Sequence, residues 1–143
     1  MTKKIRSRVS VVVIHNDCIL GFHAEDPHSL VRYFFIPGGM IEEGESPEQA
    51  AVRETFEETG YQIEIVQEPA IERQYDFEWD GQINDCRTTF LKGRLLSQHP
   101  SAVNDAAYHR GVAWISLDKV NEIFSYHKDI LEPVQILSHS SVK

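Results

Sequence analysis

The chain is short of several things, and each shortage narrows what it can be. Cysteine occurs only twice, at Cys18 and Cys86. Both lie in apolar, strand-like contexts, so two reduced, buried thiols in a cytoplasmic protein are expected, with a single disulfide as the lesser alternative. No apolar run approaches the length of a membrane span, and Met1-Thr2-Lys3-Lys4 leads into a strand pattern and not a signal peptide. Positive charge is also scarce. Lysine and arginine total 14 against 22 aspartates and glutamates, a formal net charge of -8. No nucleic-acid polymer is therefore expected as a partner, because a broad basic surface is missing. A phosphorylated ligand would be repelled overall unless cations and local arginines reversed the field in its cleft. Repeats, low-complexity tracts and linkers are absent too, and 143 residues suit one domain, residues 1–143.

What is present is concentrated between Gly39 and Tyr61, which reads GMIEEGESPEQAAVRETFEETGY. Ser46 suits an N-cap, Pro47 the first helical position and Gly60 a stop, which predicts one helix between them. On a helical wheel, Glu57 lies about 60 degrees to one side of Glu54 and Glu58 about 40 degrees to the other. Three carboxylates therefore share a face. Val52, Phe56 and Thr59 fall on the opposite side, which is expected to pack on a sheet, while Ala50 and Ala51 flank the acidic stripe. Like charges at these spacings repel unless a cation sits among them, and hard divalent ions suit all-oxygen sites. Solvated surface is the plain alternative for such a face. The glycines of Phe34-Phe35-Ile36-Pro37-Gly38-Gly39, just ahead, permit close approach of backbone to a ligand.

Gly39, Glu45, Arg53, Glu54, Glu57, Glu58, Gly60 and Tyr61 stand in the register of the Nudix signature, and the chain resembles a Nudix hydrolase. Thr55 departs from it, standing where the family prefers an aliphatic residue and pointing toward the packed side. The resemblance implies an α/β class, a Nudix-like α/β/α sandwich around a mixed β-sheet. It also implies a magnesium site, with manganese as a substitute, on Glu54, Glu57 and Glu58, with a further backbone carbonyl ligand at Gly38 or Gly39. The implied reaction is attack of water on phosphorus in a pyrophosphate bond of a nucleoside diphosphate derivative or nucleoside triphosphate. Glu45 and Arg53 are expected to pair and hold the loop on the helix, since a guanidinium grips a carboxylate with two bonds. Glu42 and Glu43 are read as solvated.

The rest of the chain reads as short strands around that helix. Strands are expected at 5–15, 18–22, 33–36, 63–66, 70–79, 83–96 and 112–115, with another short one near Met40-Ile41-Glu42. Asp80-Gly81 is a hairpin signal, and helices are expected at 117–124 and 129–138. Arg8 and Arg32 are the candidate phosphate-binding cations. Tyr75, Phe77 and Trp79 share one face of a strand. Phe77 and Trp79 are candidates for stacking on a base, against the alternative of packing in the core or across a homodimer.

Glu54 is the first choice of general base, with His99, Asp105 and His109 as alternatives in an expected loop from Ser97 to Arg110. Neither of the family's usual markers for ADP-ribose or for dinucleoside polyphosphates stands cleanly after the signature, so the base of the nucleotide stays open. The competing readings are a catalytically silent Nudix-like module that senses a nucleotide metabolite, and an interaction protein with an acidic helix. A missing metal carboxylate would mark the first of these, and none is missing.

Overall fold

The computed structural model describes residues 2–67, 69–103 and 106–139. Its strands are β1 (Lys4–His15), β2 (Cys18–Glu25), β3 (Arg32–Phe35), β4 (Gly38–Met40), β5 (Ile63–Ile65), β6 (Ile71–Trp79), β7 (Gln82–Leu95) and β8 (His109–Ser116). The long helix α1 (Pro47–Thr59) follows β4. A 3-10 turn at Leu117–Lys119 leads into α2 (Val120–Ile123), and α3 (Lys128–His139) closes the chain.

β1 is the spine. It runs parallel to β7 from Lys4↔Asn84 to Val13↔Gly93 and antiparallel to β4 and β2. β3 and β8 pair with β2, while β5 and β6 pair with β7, which makes the sheet mixed. Alternation along β1 divides the core in two. Val9, Val11 and Val13 face α1 with Leu20, Ile63 and Leu91. Val12 faces the other way, toward Phe90, Phe124, Val134 and Leu137 beside α2 and α3. Helices thus cover both faces, giving the expected α/β/α sandwich around a mixed sheet.

α1 begins with a capping box. The Ser46 hydroxyl accepts the Gln49 N–H at 3.1 Å, and the Gln49 side chain accepts the Ser46 N–H at 2.9 Å. It ends on Gly60, whose φ of 79° is left-handed and whose N–H bonds the Phe56 carbonyl at 2.9 Å. The packed side of this helix differs from the expected one. Val52 is 37% and Phe56 40% exposed, whereas Ala50, Ala51, Thr55 and Thr59 are buried. The reason is distance. Two alanines let the helix axis approach the valines of β1 closely, and a phenylalanine on that side would hold it away. Thr55, at the departing position, is wholly buried and returns its hydroxyl to the Ala51 carbonyl at 2.7 Å.

Elsewhere the differences are small. The short strand expected at 40–42 lies at Gly38–Met40, and β8 begins at His109, inside the expected loop. Cys86 is buried and Cys18 half-buried, both as free thiols. No helix among the described residues is long and apolar enough to cross a membrane.

The end of α1 yields a prediction. A Cβ on Gly60 would collide with the Ser101 carbonyl, and the Ser101 N–H bonds the Gly60 carbonyl at 2.9 Å. Gly60→Ala is therefore expected to destabilise by more than the roughly 1–2 kcal/mol of left-handed strain alone. Gly60→Asn, which tolerates that backbone region, should lose nearly as much. Denaturant midpoints separate the contributions, and an asparagine variant as stable as wild type would show that the contact with Ser101 is unimportant.

Candidate active site

A cavity of about 320 Å³ opens where β1, β4 and α1 meet. Its inner end is set by the register of β1 on β4, with Ser10 opposite Gly38, Val9 opposite Gly39 and Arg8 opposite Met40. The two glycines are steric requirements. A side chain on Gly38 would strike the Val9 carbonyl, and one on Gly39 would strike the Glu54 carboxylate. Without them, Glu54 and Glu58 reach the cavity from α1, and both line it.

Arg53 fastens this arrangement. Its Nε and Nη2 donate to the two oxygens of Glu45 at 2.6 and 2.9 Å, and Nη2 also donates to the Met40 carbonyl at 3.0 Å. Nη1 reaches Glu54 at 2.8 Å and Glu57 at 3.3 Å, with Glu42 at 3.5 Å. The guanidinium fork holds the Glu45 carboxyl down at about 2. Glu45 also accepts the Glu42 N–H at 3.0 Å, which closes the loop on itself.

Glu58 is in the opposite electrostatic condition. Its carboxylate sits deep among protein atoms, open only toward the cavity, and accepts the Gly38 N–H at 2.8 Å. Burial pushes its pKa up to about 8, against the relief from Gly38 and with repulsion from Glu54 added. Burial also raises Glu54, although Arg53 works against it. Glu57 lies on the rim, its side chain 55% exposed, and does not line the cavity.

Among the described residues, no three His, Cys, Asp or Glu side chains converge closely enough to hold a metal ion. The cause is visible in the charges. Arg53 draws Glu54 and Glu57 toward itself while Gly38 holds Glu58 inward. The residues nonetheless fit a hard divalent cation. They offer oxygen donors only, two of them carboxylates raised by burial for want of positive charge, beside a backbone that glycine leaves uncovered.

The outer part of the cavity is aromatic. Phe77 and Trp79 line it with Tyr75, Phe35, Tyr108 and Tyr126. Phe35 packs at 5.4 Å from Trp79 and 6.0 Å from Phe77, between ring centroids. Asp26 fixes the tip of the β6–β7 hairpin that carries Trp79. Its buried carboxylate accepts the N–H groups of His28, Ser29 and, across the fold, Asp80 at 3.0 Å. Burial alone would raise that carboxyl, but the three N–H groups outweigh it and lower the pKa.

Arg8 lines the cavity, as do Arg6 and Asn84, which sequence reasoning did not single out for a role. The alternation of Arg6 with Arg8 was the available signal for the first. Tyr108 and Tyr126 had none, because each comes from a connection outside the periodic segments. Arg32 is not brought to the site. The register of β3 on β2 sets it opposite Glu25, with which it pairs at 3.1 Å while 79% exposed.

The alternative bases fare unequally. His109 is a buried strand residue, stacked on Phe22 at 4.6 Å. Its Nδ1 accepts the Gly111 N–H at 3.2 Å, so Nε2 carries the proton and donates to the Glu58 carbonyl at 2.9 Å. Both nitrogens are committed, and it supports the end of α1. His99 lines a different cavity with Ile14, His15 and Arg94. Asp105 lies outside the described residues.

Comparison with known proteins bears on the family and the fold. The family model for the NUDIX domain matches residues 4–134. A mouse (Mus musculus) ADP-sugar pyrophosphatase is 38% identical over 78 residues, which is 49% of this chain and 36% of that protein. The chain thus spans about a third of that relative's length. The fold is similar to that of a NUDIX hydrolase from Nitrosomonas europaea, with a TM-score of 0.69 and 24% identity over 95% of this chain and 89% of the other. A NUDIX-family hydrolase from Clostridium perfringens gives a TM-score of 0.70 and 18% identity, covering 93% and 95% of the two chains.

The buried Glu58 gives a pH prediction for the metal-free protein. Its folded value of about 8 lies above the ordinary 4.5, so the folded state keeps a proton that the unfolded state has released. Stability should therefore fall as pH rises from about 4.5 to about 8. Glu58→Gln lacks the titrating proton and should be the more stable protein at pH 8 in EDTA, with the difference shrinking toward pH 5. Urea midpoints at the two pH values check this, and parallel curves for the two proteins would refute it.

Proposed function

The chain belongs to the Nudix hydrolase family, and from that premise we propose that it hydrolyses a pyrophosphate bond in a nucleotide-derived substrate with the help of a divalent cation. The observation that carries this reading is the cavity itself, which has buried carboxylates and an arginine at one end and an aromatic wall at the other. A silent binding module would have no need of carboxylates held at an energetic disadvantage without a cation.

Glu54, Glu57 and Glu58, with the Gly39 carbonyl, would hold magnesium or manganese. When bound, the cation neutralises charge on the phosphoryl oxygens and makes water a stronger nucleophile. Arg53 and Glu45 act on the catalytic carboxylates by fixing the loop and the helix in one register. Arg8 binds the phosphate next to the reacting one, because it faces the cavity one residue pair along from Ser10. Phe77 and Trp79 stack on the nucleoside.

Glu54 is the proposed general base. It accepts a proton from water while the water oxygen bonds to phosphorus, and the bridging oxygen leaves with the departing phosphate group. Its carboxylate lines the cavity, and neither His99 nor His109 is placed to compete for the role.

Phosphate release from a panel of nucleoside diphosphate derivatives and nucleoside triphosphates, with and without Mg2+, is the decisive test. Turnover should require the cation. Glu54→Gln should lower kcat by about 100-fold or more, the low end of general-base contributions. Glu58→Gln should remove most Mn2+ affinity by calorimetry, while His99→Ala stays within a few-fold of wild type. Full turnover by Glu54→Gln would dismiss it as base, and no turnover of any nucleotide would dismiss the hydrolase reading.

A further inference from the structure

The cavity-lining face of β1 carries a second arginine for which the reaction above has no use. Counted from the carboxylates, the order along the strand is Ser10, Arg8, Arg6, with about 7 Å between successive members. Arg8 is the arginine assigned above to a phosphate. Arg6 lies a further step out along the strand, and Tyr75, Phe77 and Trp79 line the same cavity. Its partner in β7 is Cys86, which pairs in turn with Tyr75, and the adjacent pair is Asn84 with Phe77.

Arg6 is held from one edge only. Its Nε donates to Asn84 Oδ1 at 3.2 Å. The orientation of Asn84 is fixed independently, because its Nδ2 donates to the carbonyls of Phe77 at 3.1 Å and Gln82 at 3.2 Å. The amide oxygen can face only the arginine. Among the described residues no carboxylate or carbonyl takes the two terminal amino groups of Arg6. A clamped guanidinium therefore presents donors, and only donors, beside an aromatic slot.

Resting on the nucleotide reading above, we infer that Arg6, clamped by Asn84, reads the base of the nucleotide and selects bases with carbonyl acceptors. Guanine offers O6 and N7 to such a fork, and uracil offers O4. Adenine and cytosine turn an amino group toward it at the corresponding place, so donor would meet donor. The preferred substrates are then guanosine and uridine diphosphate derivatives or triphosphates, stacked on Phe77 and Trp79 with the carbonyl edge toward β1.

Calorimetric titration of GMP, UMP, AMP and CMP in EDTA tests this without reliance on turnover. Wild type should bind GMP about tenfold or more tighter than AMP, the scale of one good bidentate pair, and UMP tighter than CMP by the smaller margin of a single acceptor. Arg6→Met should abolish the preference. Arg6→Gln, which can both donate and accept, should shift it toward AMP and serves if the methionine variant folds poorly. Equal binding of all four, a preference for AMP, or a preference unchanged in both variants overturns the inference. A loss uniform over the four bases also overturns it, since that would make Arg6 a phosphate contact. Failure here leaves the hydrolase reading standing, because that reading is judged by cation-dependent phosphate release.

Discussion

One ion-pair network sets the geometry on which everything else in this protein rests. Arg53 spends its fork on Glu45 and the Met40 carbonyl, and its remaining amino group on Glu54 and Glu57. A planar guanidinium with several fixed donors can hold a loop, a short strand and a helix in one register, and a lysine could not. The loop would otherwise be free to drift from the helix, and the carboxylates would lose their position against Gly38 and Gly39. The strong depression of Glu45 and the elevation of Glu58 are two sides of one design. Arg53 makes two bonds to Glu45, while burial at Glu58 outweighs the Gly38 N–H and the nearby Arg8.

Close packing makes that design reachable. Ala50 and Ala51 bring α1 near β1, Gly39 removes a side chain that would strike Glu54 of the helix, and Gly38 one that would strike β1. The acidic residues then enter a cavity and do not simply face solvent. Apolar bulk is displaced to the outside of the helix, where Val52 and Phe56 remain exposed. A helix selected only for burial would have the reverse arrangement. Here small residues are placed for proximity, and the acidic face gains a function from it.

Recognition, by contrast, is assembled from distant parts. The rings of the outer cavity come from β3, from β6, from the turn before β8 and from the turn before α3. Asp26 secures the hairpin tip from 54 residues away by accepting the Asp80 N–H, on the same buried oxygen that accepts the N–H groups of His28 and Ser29 in its own loop. On β1, the two arginines share a face only because strands alternate.

The sequence by itself determined the parts of this protein that are local. A proline and a serine begin α1, a glycine ends it, and the spacing of Glu54, Glu57 and Glu58 is a property of any helix, so these were legible without coordinates. So were the hairpin at Asp80-Gly81 and most of the strands, because turn chemistry and period-two alternation act over a few residues. Tertiary structure decided the rest. Which side of α1 is buried depends on how near the sheet can come, which no wheel records, and so Val52 and Phe56 were misplaced. Glu57 stands at the rim beside Arg53, while Glu54 and Glu58 line the cavity. His109 became a support for the helix end because β8 extends further than its apolar residues suggest. Arg32 was removed from the site by a strand register. Arg6, Asn84 and Tyr126 entered it because β1, β7 and the turn before α3 meet only after folding, and contacts between such distant segments leave no period or spacing in the chain.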